Sequence, residues 1–150
     1  MQPRFCYNKR AQETLAAFVN GGRFPHALLL EGPEGSGRRT FAREIAAALF
    51  CRGEHKPCGS CNQCRKVLEQ NHPDVEYYGG DGSRRSFHID TIRQLRQNAW
   101  LLPGEAPCRV CVLCGAENMT DQAQNALLKI LEEPPEHTVF ILTAENRAML

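Results

Sequence analysis

Residues 27–41, ALLLEGPEGSGRRTF, contain the pattern that indicates the fold class of this chain. This stretch opens with a short apolar run, residues 27–30, which is typical of a strand buried on both faces of a sheet. A glycine-rich turn at residues 32–37 follows, and the apolar stripe of an amphipathic helix then begins at Phe41. Strand, glycine loop and helix in this order form the first half of a βαβ unit, so the stretch predicts an α/β fold.

Further strand and helix patterns alternate along the 150-residue chain. Apolar, aromatic and β-branched runs predict three more strands, at residues 74–78, 109–113 and 138–143. Helical periodicity predicts helices at residues 11–20 and 62–70, around Ile92, Leu95 and Ala99, and between Thr120 and Pro134. Strands that alternate with helices indicate one domain with a mainly parallel sheet flanked by helices.

The overall composition argues against several classes of protein. Lys and Arg total 18 against 17 acidic residues, and this balance argues against a polybasic nucleic-acid sleeve but permits a local basic surface. With 42% hydrophobic and 23% charged residues, the chain has the composition of a globular protein. Its apolar runs are far shorter than the roughly 18 residues of a membrane span, and its N-terminus lacks the apolar stretch of a signal peptide. We therefore expect a cytoplasmic protein with no membrane partner.

The glycine loop is a candidate nucleotide-binding site. Such a turn can cradle phosphates, because its backbone N–H groups converge and the helix dipole adds positive potential. A complete phosphate loop also has a Lys for the terminal phosphates, followed by a Ser or Thr for magnesium. Here Arg38 and Arg39 hold those two positions, and Thr40 lies one place late. The candidate residues are Gly32, Gly35, Gly37, Arg38, Arg39 and Thr40.

A second defect lies where the magnesium-binding carboxylates of such a fold belong. Phosphoryl transfer uses acidic residues at the end of a later strand. The strand at residues 109–113 is followed by Cys114 and Gly115, and Glu117 lies three places past Cys114. The two defects predict a degenerate site without intrinsic ATPase activity, and they argue against ATP and magnesium as cofactors. Weak nucleotide or anion binding stays open.

Four of the eight cysteines form a candidate metal site. A structural zinc ion takes four soft ligands in a tetrahedron, and C-x2-C spacing lets two sulfurs bind from one turn. We therefore predict a structural zinc module at about residues 51–64. The alternative is four reduced thiols in a polar loop. The candidate ligands are Cys51, Cys58, Cys61 and Cys64.

The remaining cysteines do not predict a second metal site. Cys108, Cys111 and Cys114 have similar spacing but lie on or beside a predicted strand, where successive side chains alternate between faces. Cys111 should therefore point away from the other two, and we expect all three to act as small buried hydrophobic residues. Cys6 stands alone and indicates nothing.

The segment NALLKILEEPP, residues 125–135, resembles the segment that follows the Walker B strand in bacterial DNA polymerase III clamp-loader subunits. Residues 24–30, 72–74 and 89–93 and the four-cysteine insert also match that family, in the same order along the chain. The resemblance implies a P-loop NTPase-like (AAA+) fold with sheet order 2-3-4-1, in which the strand at residues 27–31 lies at an edge. It also implies that residues 1–150 are an incomplete N-terminal AAA+ core, without the fifth strand, helical lid and collar domain.

Within that family the gamma and tau subunits have an intact phosphate loop and an Asp-Glu pair, which the delta-prime subunit has lost. Arg38-Arg39 and Cys114-Gly115 resemble the delta-prime pattern. The resemblance therefore implies a non-catalytic subunit of the polymerase III holoenzyme that helps to load the sliding clamp onto primed DNA during DNA replication. Its partners would be the gamma/tau and delta subunits, and primer-template DNA only through the assembled ring.

Two alternatives stay open. A gamma/tau-like clamp-loader ATPase would bind and hydrolyse ATP, if Arg38 and Thr40 still function. A free-standing, zinc-dependent nucleic-acid-binding module would use the basic residues around the cysteines, although basic residues on a nearly neutral chain are more often a solvated face. Those basic residues are Arg52, Lys56, Arg65 and Lys66.

Overall fold

The structure is a computed structural model that describes residues 9–21, 24–33, 35–79 and 89–145. Its centre is a four-stranded sheet of β1 (Ala27–Glu31), β2 (Val75–Gly79), β3 (Arg109–Cys114) and β4 (Thr138–Ala144). Every neighbouring pair is parallel, and the order across the sheet is β1-β4-β3-β2. The predicted α/β class, the parallel sheet and the order 2-3-4-1 are confirmed.

Five α-helices of the described residues surround this sheet. They are α1 (Lys9–Asn20), α2 (Arg38–Phe50), α3 (Asn62–Leu68), α4 (Ile89–Ala99) and α5 (Asp121–Glu132). A short 3-10 turn, Ala116–Asn118, separates β3 from α5. The Thr120 hydroxyl accepts a hydrogen bond from the Ala123 N–H at 3.1 Å, which is why α5 begins where it does.

Two apolar layers cover the two faces of the sheet. Every residue of β3 and β4 is buried, so both strands are covered on both faces. One layer joins Val110, Val112, Cys114 and Ile141 to Phe41, Ala42 and Ile45 of α2. The other joins Cys111, Leu113 and Phe140 to Ile92 and Leu95 of α4 and to Ala123 and Leu127 of α5.

The predicted opposition of Cys111 to Cys108 and Cys114 is confirmed, since only the latter two pack in the α2 layer. Cys6 lies outside the described residues.

β1 lies at one edge of the sheet, as predicted. Its residues pair with 140–144 of β4, and the described part of the chain offers no strand on its other side. Leu29 in the middle of β1 is 37% exposed. A cavity of about 480 Å³ lies beside this edge and is lined by β1, β4 and α5. An edge strand with an exposed apolar side chain is a surface at which another strand can pair.

A buried carboxylate, Asp74, holds the loop that connects α4 to β3. The side chain lies just before β2 and accepts hydrogen bonds from the N–H groups of Gly104 at 2.7 Å, Glu105 at 2.9 Å and Ala106 at 2.8 Å. Burial acts to raise the pKa of Asp74, but these three donors stabilise the charged form and the net pKa is below its ordinary value. Arg109 lies 3.8 Å from the same carboxylate.

Asp74→Asn should lower the free energy of unfolding by about 2 kcal/mol, because charged hydrogen bonds of this kind contribute about 1.5–3 kcal/mol and an amide has a single acceptor oxygen. A carboxylate with a lowered folded pKa stabilises the fold above its unfolded pKa and loses that effect as the pH falls through the folded value. Wild type should therefore lose more stability than Asp74→Asn between pH 5 and pH 3. Urea denaturation measures both effects, with the exposed Asp90→Asn as control. If Asp74→Asn is as stable as the control Asp90→Asn, the hydrogen bonds to the Asp74 carboxylate do not stabilise the fold.

Candidate metal centre and degenerate phosphate loop

Four cysteine sulfurs converge in the segment that links α2 to α3. Cys51 directly follows α2, Cys58 lies in the connecting loop, and Cys61 and Cys64 begin α3. The four Sγ atoms all lie within 4.8 Å of one another, and none of the four cysteines is in a disulfide. The Cys58 and Cys64 sulfurs are 4.0 Å apart, close to the roughly 3.8 Å expected across a tetrahedral zinc ion with Zn–S bonds of about 2.3 Å. The predicted convergence is confirmed, and the donor set fits zinc.

Backbone N–H groups surround these sulfurs, and at Cys58 they favour the charged form. The N–H groups of Gly53 and Cys58 each donate to Cys51 Sγ at 3.3 Å. The N–H of Cys61 donates to Cys58 Sγ at 3.2 Å. Hydrogen bonds from Ser60 and Cys61 lower the pKa of Cys58 to about 6. A thiolate is the form that binds a metal ion, so these donors prepare the cluster for a cation.

Burial has the opposite effect at Cys64, where it raises the pKa of the thiol. A divalent cation would remove this conflict, because metal coordination deprotonates a thiol outright. Gly53 also leaves room for the cluster: a Cβ atom there would lie 3.1 Å from Cys58 Cβ and 3.4 Å from Cys58 Sγ. Cys61 has a second role, since its sulfur accepts the N–H of Cys64 at 3.4 Å and so caps α3.

The glycine loop lies at the carboxyl end of β1, where the sequence predicts it. Gly35 and Gly37 have φ angles of 82° and 85°, which favour glycine. A Cβ atom on Gly32 would lie 2.8 Å from Ser36 Oγ and 3.7 Å from Arg38 Cδ. Gly37 is the N-cap of α2 and provides no side-chain acceptor for the first N–H groups of the helix. The described glycines of the loop thus have the positive φ angles of a tight turn that leads into α2.

Arginine side chains replace the usual ligands of a complete phosphate loop. Arg38, Arg39 and Thr40 form the first turn of α2, and Thr40 is exposed. The Arg39 Cζ atom lies 5.7 Å from the centroid of the Tyr77 ring. Arg38 Nη1 is buried and has no hydrogen-bond partner among the described residues. The two predicted candidates Arg38 and Arg39 are thus placed at the loop, with guanidinium groups where lysine and a magnesium ligand would otherwise lie.

A third arginine, Arg43, joins this group on the sheet side. Burial raises the pKa of the Cys114 thiol, and the positive charges of Arg39, Arg38 and Arg43 act in the opposite direction. The end of β3 therefore presents a buried thiol near three cations, where a magnesium site would have carboxylates. The sequence interpretation did not single out Arg43. Its position four residues after Arg39 on one helix face was the available signal.

An exposed apolar surface on the other side of the sheet was also missed. Trp100, Leu101 and Leu102 directly follow α4 and are 61%, 55% and 75% exposed. We call these three residues the 100–102 surface. They precede the segment that Asp74 holds, which begins at Gly104. The signal in the sequence was the apolar run past Ala99, where the buried stripe of α4 ends.

These features define a class of protein: a parallel α/β domain with a glycine loop after its first strand and a four-cysteine insert after the next helix. The family described as "DNA polymerase III, delta subunit" matches residues 7–150, and the chain belongs to this family. The predicted family is thereby confirmed. None of the helices in the described residues has the length and apolar character needed to cross a membrane.

Individual relatives fall in two groups. The chain is 38% identical over 131 residues to DNA polymerase III subunit delta' of Yersinia pestis. The aligned region covers 86% of this chain and 38% of the relative. It is also 35% identical over 139 residues to subunit gamma/tau of Mycobacterium tuberculosis. That aligned region covers 91% of this chain and 24% of the relative. The chain thus spans well under half the length of either relative.

A solved structure has a similar fold. The crystal structure of a DNA polymerase III gamma subunit-related protein from Thermotoga maritima matches with a TM-score of 0.61 and 25% sequence identity. The match covers 92% of this chain and 40% of that chain. The parallel sheet of this protein is therefore similar to that of a gamma subunit-related protein.

Proposed function

We propose that this chain is part of a non-catalytic, delta-prime-like subunit of the bacterial DNA polymerase III clamp loader, which helps to load the sliding clamp onto primed DNA. Its partners in the cytoplasm are the gamma/tau and delta subunits, and it meets primer-template DNA through the assembled ring. The proposal includes the AAA+ assignment of residues 1–150 as an N-terminal core with an insert at about residues 51–64. The observation that carries it is the match to this family over residues 7–150 in a chain that has Arg38 and Arg39 where a complete phosphate loop has a lysine and a magnesium ligand.

Electrostatics argue against a catalytic role for the glycine loop. Magnesium-dependent phosphoryl transfer needs a hydroxyl ligand and carboxylates around a divalent cation. Arg39 provides no oxygen atom, and the charges of Arg38, Arg39 and Arg43 act on the position next to Gly115. A magnesium ion is repelled from a site that already carries these positive charges. Because the glycines are retained, the same loop can bind a nucleotide without hydrolysing it.

The gamma/tau-like ATPase is the second candidate function. It is supported by the gamma/tau relatives and by the retained glycines, of which Gly35 and Gly37 have positive φ angles. The nucleic-acid-binding module has less support. Lys66, one of its four basic residues, is paired with Glu105 at 2.6 Å, so its charge is already neutralised.

The cysteine cluster contributes a structural site to this proposal. Cys51, Cys58, Cys61 and Cys64 would hold one zinc ion that joins the end of α2 to the beginning of α3. Because four sulfurs complete the tetrahedron, the metal offers no open position for a substrate or water. The role of the ion is therefore to stabilise the insert.

The 100–102 surface supports a role within an assembly. Large apolar side chains that are contiguous and exposed mark contacts with other proteins. We assign this surface to contact with another protein subunit of the clamp loader.

Neither the wild-type chain nor Arg38→Lys/Arg39→Thr should release phosphate from ATP in the presence of magnesium, because the carboxylates at Cys114 and Gly115 are still missing. A malachite-green phosphate assay measures this, with a gamma/tau relative as positive control. Magnesium-dependent hydrolysis by the wild-type chain that Arg38→Ala abolishes would favour the gamma/tau-like ATPase over this proposal.

Cys58→Ser and Cys61→Ser should each lose zinc, since three sulfurs and a hydroxyl bind it far more weakly than four thiolates. Cys111→Ser is the matched control, because Cys111 is buried on the opposite face of the sheet. Metal analysis of the purified proteins should give one zinc per chain for wild type and the control. One zinc per chain in both cluster variants would refute the ligand assignment.

Leu101→Ser should weaken assembly with the gamma/tau and delta subunits at least tenfold, because a buried leucine contact contributes about 1.5–3 kcal/mol. Gln97→Ser provides the control, since Gln97 is an exposed polar residue of the preceding helix α4. Analytical size-exclusion chromatography of the reconstituted complex gives the readout. Equal assembly of both variants would show that the 100–102 surface is not the contact.

A further inference from the structure

The helix that carries two of the cysteines also contacts the loop that carries the 100–102 surface. This helix, α3, is seven residues long, and its N-cap is the Cys61 sulfur. A helix this short is not stable alone, so its position depends on its anchors. Gln63 and Lys66 extend from it toward the segment held by Asp74. Each side chain forms one link to that segment.

The first link passes through a buried histidine. Gln63 Oε1 lies 2.5 Å from His72 Nε2, and His72 Nδ1 accepts the N–H of Asp74 at 3.0 Å. Because Nδ1 accepts, the ring proton is on Nε2 and is donated to Gln63. Burial lowers the pKa of His72, which favours this neutral ring. The ring also packs against Phe50, the residue before Cys51, with centroids 4.8 Å apart.

Asp74 carries this link into the loop. Its backbone N–H is held by His72, and its carboxylate accepts the N–H groups of Gly104, Glu105 and Ala106. Asp74 is 1% exposed, so water does not replace these hydrogen bonds, and breaking them costs free energy. The orientation of His72 is thereby connected to the backbone just beyond the 100–102 surface.

The second link is an ion pair. Lys66 Nζ lies 2.6 Å from Glu105 Oε1, and the two side chains are each 34% exposed. Glu105 Oε1 also lies 3.5 Å from His72 Nε2, so the two links meet at one carboxylate. An ion pair at this exposure contributes little free energy alone. Here, however, its partner Glu105 belongs to the backbone segment that Asp74 already holds by hydrogen bonds.

We propose that the zinc module controls how firmly the 100–102 surface is held, through Gln63–His72–Asp74 and Lys66–Glu105. The inference rests on the zinc site in the proposed function and adds a role to it. With zinc bound, Cys61 and Cys64 fix the start of α3, and both links hold the loop. Without zinc, α3 loses its anchor, both links loosen, and the apolar surface is presented on mobile backbone.

The test is hydrogen exchange at the amides of residues 104–106 in zinc-loaded protein. The uncoupled variant Gln63→Ala/Lys66→Gln keeps all four cysteines but removes both links. The matched control is Asn62→Ala/Arg65→Gln, which changes exposed neighbours on α3 whose side chains make no hydrogen bond or ion pair to the described part of the chain. We expect about fivefold faster exchange in the uncoupled variant, the scale of one net hydrogen bond, and none in the control. Trp100 is the single tryptophan of the sequence, so its fluorescence anisotropy should fall in parallel.

Unchanged exchange and anisotropy in the zinc-loaded uncoupled variant would overturn the proposal. Chelation of zinc from wild type gives the second measurement, and it should speed exchange at residues 104–106 while residues 110–113 of β3 stay protected. Exchange that rises only within residues 51–64, or equally throughout β3, would also overturn it. Zinc content is measured in the same samples. Absence of zinc from wild type refutes the proposed metal site, whereas an undisturbed loop in the zinc-loaded variant refutes the link.

Discussion

Close packing of α2 against the sheet positions both candidate sites. The helix begins immediately after the glycine loop and ends immediately before Cys51. Ala42, Ala46 and Ala47 are fully buried, so the helix backbone approaches its neighbours closely. The Cys64 sulfur lies 3.7 Å from the carbonyl oxygen of Ala47, so the cysteine cluster packs against the same helix. A shift of α2 would therefore move the glycine loop and the metal cluster together.

The two ends of α2 differ in the charge they favour. Its N-terminus carries partial positive charge, to which Arg38 and Arg39 add. A magnesium ion at this end would face both, without a carboxylate at the end of β3 to compensate. The C-terminus leads into the four cysteines, whose sulfurs fit a soft cation. The two ends of α2 thus suit different ligands: anions at the glycine loop, and a soft cation at the cysteines.

Local patterns explain why most of the fold and both candidate sites could be predicted. The apolar run of β1, the helical stripe of α2 and the cysteine spacing are each contained in a short window. The sheet order came from family resemblance, because strand order depends on contacts between distant segments. The Asp74 network was missed for the same reason: Asp74 and Gly104 are 30 residues apart, and neither position has a local pattern that indicates the contact. Exposure of Trp100 was missed because an apolar residue beside a helix is usually buried.

The residues that the degenerate site retains differ physically from those it has lost. Gly35 and Gly37 adopt positive φ angles, so replacing either of them would strain the turn between β1 and α2. Gly115, with a φ of 75°, is likewise needed for the turn after β3, where its N–H donates to the Thr143 hydroxyl at 3.0 Å. A lysine at position 38 or a carboxylate at position 114 would serve only a ligand, and the fold forms without them. Ligand-binding side chains at these positions can therefore be exchanged without loss of the fold, whereas the glycines with positive φ angles remain because the connections after β1 and β3 require them.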